Sequence, residues 1–338
     1  MDEFTSMMEE FNQSPVRTTA SGKKLSTTAC VNEIVNAIMQ VIVNTSADTI
    51  GELIVPKIQQ QVKEAVGLIP PRIEVKVRDQ TKIVEGITHS KFEEVLNLVN
   101  LDFPVYMVGK AGTGKNHICK QVCEALGLEF YFTNCVTQEY KLTGFIDANG
   151  VYQKTQFYDA FTKGGLFFLD EMDASIPETL VILNAAIENR YFDFPTGKVE
   201  AHPNFRVIAA GNTYGTGADI NYTGRYSLDK ASLDRFATVY IDYDPRVEES
   251  MADGDQSLLD FVRAYRVATE KACVESIASY RTIKRMRTLR DVINDKAEII
   301  RISLTKGMDT DTRNVVMSRL KEDSSMSGNV WARAFSNI

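Results

Sequence analysis

The chain has 338 residues, 44% apolar and 25% charged, with a formal net charge of −7 at pH 7; this exceeds one ordinary domain and suits a globular protein with a substantial core. The acidic balance excludes a general long-range pull toward nucleic acid, and no stretch approaches 18 consecutive apolar residues, so no helical membrane span is expected. Five scattered cysteines (Cys30, Cys119, Cys123, Cys135 and Cys273) do not make a disulfide scaffold, and the acidic start MDEFTSMMEE is unlike a signal peptide, so a cytoplasmic protein with free thiols is expected.

Residues 1–27 mix small, polar and acidic side chains without periodicity and read as a disordered tail. Two amphipathic helices are expected next, one carrying Val31, Ile34, Val35, Ile38 and Ile42, the other Ile50, Leu53, Ile54, Ile58 and Val62. They form either a prefix packed on the following domain or a separate partner-binding module. Pro70 and Pro71 end that pattern, and the alternation of Ile73, Val75 and Val77 with charged residues predicts a strand that turns near Asp79 and Gln80 and returns through Lys82 to Glu85. With a helix at Lys91 to Val99, residues 28–95 make an N-terminal helical and hairpin region.

From 96 to 245, short apolar runs alternate with longer helical or loop segments, which predicts an α/β domain with a five-stranded parallel sheet. The expected strands are Val105 to Val108, Glu129 to Thr133, Leu166 to Leu169, Phe205 to Ala210 and Thr238 to Ile241. After Pro245 strand signals vanish, so residues 246–338 should form a small helical lid, with Trp331 anchoring its last helix.

The sharpest motif is GKAGTGKN, lying between an apolar strand and the helix-forming HICKQVCEAL. In such a loop, glycines let backbone N–H groups curl around phosphate, a lysine reaches the terminal phosphates, and the following helix aims its positive end at them. Gly109, Lys110, Ala111, Gly112, Thr113, Gly114, Lys115, Asn116 and His117 are therefore the expected nucleotide contacts. Asn116 stands where a Ser or Thr hydroxyl normally binds Mg²⁺; its side-chain oxygen either ligates the metal directly or orients a metal-bound water. The apolar run GGLFFLDEMD ends in paired acids, of which Asp170 should hold Mg²⁺ and Glu171 should polarise the attacking water. A third strand, FRVIAAGNT, presents Asn212 to the water or the terminal phosphate.

Arg235, in SLDRF, reads as an arginine delivered to a neighbouring subunit's phosphate, with Arg225 a weaker candidate for the same interface. Arg281, in SYRTIKRM, is placed to reach back from the lid; Lys284, Arg285, Arg287 and Arg290 beside it form either a solvated face or a nucleic-acid contact. A metal role for His117, Cys119 and Cys123 is declined, the two cysteines being better explained as packing residues, and Tyr214 and Tyr222, which follow the third strand, are not assigned to a nucleobase.

GKAGTGKN, LFFLDE, IAAGNT, LDRF and SYRTIKRM occur in the order of the Walker A, Walker B, first sensor, arginine-finger and second-sensor motifs. Over roughly 90 to 290 the chain resembles the MoxR, CbbQ and CobS-like branch of AAA+ ATPases, the dynein-related group, and especially versions encoded by bacteriophages and prophages. The resemblance implies an ATP- and Mg²⁺-dependent ring ATPase, a homo-oligomer of hexameric form with ATP between subunits, in which Lys115, Asp170, Glu171, Asn212, Arg235 and Arg281 carry the roles above. It also implies a separately encoded protein partner, of which a von Willebrand factor A domain protein is one kind, and, for a phage protein, residence in the host cytoplasm. Nucleic-acid translocation and a nucleotide-gated scaffold with weak hydrolysis stand as alternatives. Lys141 to Phe161 corresponds to an insertion facing a pore or partner, with Phe145 and Tyr152 as its residues of interest, and ENRYFDFPTGKVEAHPNFRV to a hairpin with Glu188 at its base.

Overall fold

A computed structural model describes residues 86–219 and 222–338 in full, together with short strands before residue 86. Contacts divide the chain into Met1–Pro71 and Arg72–Ile338. In the first unit only β1 (Arg17–Thr18) and β2 (Lys24–Leu25) are described, an antiparallel pair inside the expected tail. The two amphipathic helices expected there lie outside the described residues.

The second unit opens with β3 (Ile73–Val77) and β4 (Gln80–Val84), the hairpin expected from the alternation, with Val77 opposite Gln80. It shares this unit with everything that follows. Helix α1 (Phe92–Asn100) leads into β5 (Val105–Val108), α2 (Lys115–Leu126) and β6 (Phe130–Thr133). After α3 (Tyr140–Thr143), the small hairpin of β7 (Phe145–Ile146) and β8 (Tyr152–Gln153), and α4 (Gln156–Lys163) comes β9 (Gly165–Leu169). Helix α5 (Pro177–Glu188) and the hairpin of β10 (Tyr191–Phe194) and β11 (Gly197–Glu200) precede β12 (Phe205–Gly211). Helix α6 (Lys230–Asp234) and β13 (Ala237–Tyr240) complete the α/β part.

The central sheet has the order β13-β5-β12-β9-β6, and every pairing is parallel. Both faces are covered, as parallel sheets require. Side chains alternate between them: Val105, Met107, Leu166, Phe168, Ile208 and Ala210 pack with α1 and α2, whereas Tyr106, Val108, Phe167, Leu169, Val207 and Ala209 pack with α4, α5 and the β10–β11 hairpin. Because all five strands run the same way, their C-terminal ends open along one edge of the sheet. Ligands of open α/β sheets bind at that edge.

Helices α7 (Pro245–Ala252), α8 (Gln256–Lys271), α9 (Tyr280–Arg290), α10 (Lys296–Ser303), α11 (Thr310–Lys321) and α12 (Val330–Phe335) form the all-helical remainder. Phe261, Tyr265, Ile283, Met286, Trp331 and Phe335 fill its own core. Trp331 is buried there and seats the last helix. No helix among the described residues is long and apolar enough to cross a membrane.

Candidate functional site

The loop leaving β5 is shaped by three glycines. A Cβ on Gly109 would lie 1.9 Å from the Ile241 carbonyl oxygen, so only glycine allows β5 and the end of β13 to approach this closely. Gly112 (φ 75°) and Gly114 (φ 89°) adopt the left-handed conformation that curls the loop over the N-terminus of α2. Inside the curl lies Lys115, almost entirely buried. Its ammonium donates to the carbonyls of Gly109 (2.6 Å) and Lys110 (3.1 Å) and to Asn212 Oδ1 (3.1 Å). Burial pushes its pKa down to about 8, partly opposed by Asp170 and Asp173. Lys110 reaches outward to ion-pair with Glu270 on α8.

Strand β9 delivers the acids. Asn116 Nδ2 donates to Asp170 Oδ2 at 2.8 Å, joining the first turn of α2 to the end of β9. Asp170 Oδ1 accepts from the backbone N–H of Glu171 at 3.0 Å, and Glu171 itself takes a left-handed backbone (φ 53°), a strained state for a residue with a Cβ. Glu171 and Asn212 line the same cavity.

The acid that organises this edge is Asp173, fully buried. Its Oδ2 accepts from the backbone N–H groups of Asn212 and Thr213, both at 2.9 Å, and from Thr213 Oγ1 at 3.0 Å. Sequence reasoning singled out its neighbours but not Asp173; the available signal was a further acid two positions after Glu171, in DEMD. Beside it lies Arg225, whose Nη1 is 3.4 Å from Asp173 Oδ1 and whose Nη2 is 3.7 Å from Glu171 Oε1. Arg225 thus faces two acids of its own chain.

Helix α9 closes the site from above. Ser279 and Thr282 form a reciprocal capping box at its start, the N–H of Tyr280 donates to the Gly112 carbonyl at 3.3 Å, and a Cβ on Gly112 would meet Ser279 Cβ at 2.5 Å. The cavity beneath, about 290 Å³, is lined by Ala111 to His117, Asp170, Glu171, Asn212, Arg281 and Lys284. Gly109 and Lys110, also expected among the nucleotide contacts, do not line it but border a second hollow, and only their carbonyls reach Lys115.

Arg235 lies outside this cavity. It lies at a separate surface groove with Asp102, Glu188 and Arg190, its Nε 3.4 Å from Glu188 Oε2. A larger hollow of about 460 Å³ on the other side of the loop holds Tyr214, Tyr222, Tyr240 and Tyr243. Tyr222 Oη accepts from the Ala111 N–H at 2.9 Å. Lys115 and the two acids that follow β9 line the smaller cavity and not this larger hollow. Cys119 and Cys123 are packing residues of α2, their thiols pushed up by burial, Cys123 to about 12. In the β7–β8 hairpin, Tyr152 packs into its own loop, donating to the Thr143 carbonyl at 2.7 Å, whereas Phe145, Ile146 and Val151 are exposed, as is Tyr140 on α3.

Residues 104–236 match the AAA domain of the dynein-related subfamily. An uncharacterized protein of Staphylococcus saprophyticus is 27% identical over 224 residues, spanning 62% of this chain and 79% of that protein. Another, of Staphylococcus haemolyticus, is 28% identical over 225 residues, spanning 63% and 80%. Among solved structures, NtrX from Brucella abortus aligns with a TM-score of 0.43 at 13% identity, covering 82% of this chain and 67% of that one, and has also been solved with ADP and with ATP. A RuvB mutant of Thermotoga maritima aligns with a TM-score of 0.41 at 14% identity, covering 68% and 66%.

Proposed function

We propose that the segment matching an AAA domain binds ATP at the β5–α2 loop and hydrolyses it, and that the chain works as one subunit of a homo-oligomeric, hexameric ring that remodels or assembles a protein partner. The observation that carries this reading is the convergence of Lys115, the Asn116–Asp170 pair, Glu171 and Asn212 at the C-terminal ends of β5, β9 and β12, beneath Arg281. Backbone N–H groups of the left-handed loop and the start of α2 take the phosphates. Lys115 exchanges its carbonyl partners for phosphate oxygens, and a buried ammonium held down to about pKa 8 gains more from an anion than an exposed one would. Glu171 polarises the attacking water and Asn212 orients it, while Arg281 and Lys284 neutralise charge developing on the phosphates.

Mg²⁺ suits the donors present. Asn116 spends its amide N–H on Asp170, which leaves its carbonyl oxygen as a hard ligand beside a carboxylate. Bound there, the ion would shield the phosphates' negative charge. The Asn116 substitution also supports a second reading, a nucleotide-gated scaffold with weak hydrolysis. Arg235, outside the phosphate cavity of its own chain, is proposed to reach that of a neighbouring subunit. Assignment to the MoxR-like branch, a phage origin with residence in the host cytoplasm, and a von Willebrand factor A domain partner are proposals that rest on motif order alone.

The test is Mg²⁺-dependent ATP hydrolysis measured against subunit concentration. The rate per subunit should rise with assembly and fall by about 100-fold or more in Glu171→Gln and in Arg235→Ala. Tight ATP binding without turnover by the assembled wild type would select the scaffold.

A further inference from the structure

Arg225 is surrounded by its own chain. Its side chain is 11% exposed and faces Glu171 with one arm and Asp173 with the other. The next residue fixes its backbone, since the Tyr226 N–H donates to the Asp173 carbonyl at 2.8 Å. Asp173 has its two oxygens differently employed: Oδ2 collects three donors from Asn212 and Thr213, whereas Oδ1 has no hydrogen-bond partner and faces the guanidinium at 3.4 Å. A fully buried carboxylate needs a counter-charge, and Arg225 supplies it. What neutralisation of Asp173 does not require is the second arm, directed at the half-exposed Glu171.

We infer that Arg225 is a positioning residue of its own subunit, holding the Glu171 carboxylate in register with the Asp173 anchor and hence with Asn212. This rests on the reading of Glu171 as the group that polarises water. Glu171 and Asn212 end two adjacent strands, β9 and β12, and both groups must address one water molecule. The Arg225–Asp173 unit is the element that touches both: Asp173 grips the backbone of Asn212, and the guanidinium spans from Asp173 to Glu171. A planar guanidinium with several donors can serve two carboxylates at once, whereas an ammonium on a flexible stem serves as a single point charge.

The experiment compares Arg225→Ala and Arg225→Lys with wild type in the full-length assembled protein, measuring kcat, KM for ATP, affinity for a fluorescent ADP analogue, and thermal stability. We expect Arg225→Ala to lose at least about tenfold in kcat with ADP affinity within about threefold of wild type. Arg225→Lys should recover thermal stability but not kcat. Full recovery of kcat by lysine would reduce Arg225 to a counter-ion for Asp173 and overturn the inference. Mixed assemblies of Arg225→Ala with Glu171→Gln subunits decide between action within a subunit and across an interface. A residue acting within its own subunit gives no regain of turnover on mixing; regain would show that Arg225 serves a neighbour and would equally overturn the inference. Wild type that hydrolyses nothing would overturn the reading of the whole site. Unchanged kcat in Arg225→Ala beside an active wild type would overturn the role of Arg225 alone.

Discussion

Asp173 and Asn116 make opposite contributions to this site, one from beneath its floor and the other from its lining. Removing the Asp173 carboxylate strips three hydrogen bonds from the turn after β12 and leaves Arg225 half-buried without its nearer partner. Asp173→Ala should therefore cost about 3 kcal/mol or more of unfolding free energy, read from urea denaturation, because hydrogen bonds to a buried charge are among the strongest single contributions. Asn116→Ala makes a different demand: its side chain is solvent-facing and bonded only to Asp170. Stability should hardly change, within about 0.5 kcal/mol. If its oxygen helps hold the metal, Mg²⁺-dependent turnover should fall at least about tenfold while metal-free nucleotide affinity is kept. A variant with unaltered Mg²⁺ dependence would remove Asn116 from the ligand set.

At the level of elements, the base of the helical part is pinned by Asp244, the N-cap of α7. Its buried carboxylate accepts from the N–H groups of Ser90 (2.6 Å) and Arg246 (2.9 Å) and from the Arg246 guanidinium. Burial opposes its charge, but these donors outweigh burial and bring its pKa down to about 2. The folded pKa lies below that of the unfolded chain, so the stabilisation is fully present above about pH 4 and lost as the pH falls through 2. Asp244→Asn should flatten that acid limb of the stability curve and lower the plateau above it, measured by thermal unfolding from pH 2 to pH 7. Elements were the most legible scale in the sequence. Val105 to Val108 and Leu166 to Leu169 declare themselves as buried strands because both sheet faces are covered, leaving uninterrupted apolar runs. The phosphate loop was legible because its chemistry is local, with glycines, lysine and helix start contiguous. The Arg225 contacts were not, because that side chain meets acids more than fifty positions earlier through a turn whose path no periodicity encodes.

For the molecule as a whole, the candidate site divides between the α/β part, which carries Lys115, Asp170, Glu171 and Asn212, and the helical part, which lends Arg281 and Lys284. These parts touch where α9 begins. Gly112→Ala, which adds a Cβ 2.5 Å from Ser279 Cβ at a left-handed position, should force that junction apart; about 1–3 kcal/mol of stability and at least tenfold in ATP affinity should be lost, measured by denaturation and equilibrium binding. The fit of Gly112 beneath Ser279, with the Tyr280 N–H resting on the Gly112 carbonyl, makes the loop a pedal under the helices. A phosphate that displaced the loop would press on the start of α9, and α9 is packed into the core built around Trp331. On the proposed function, loading or emptying the cavity would then reach the helical part as one block, because that part shares a single core.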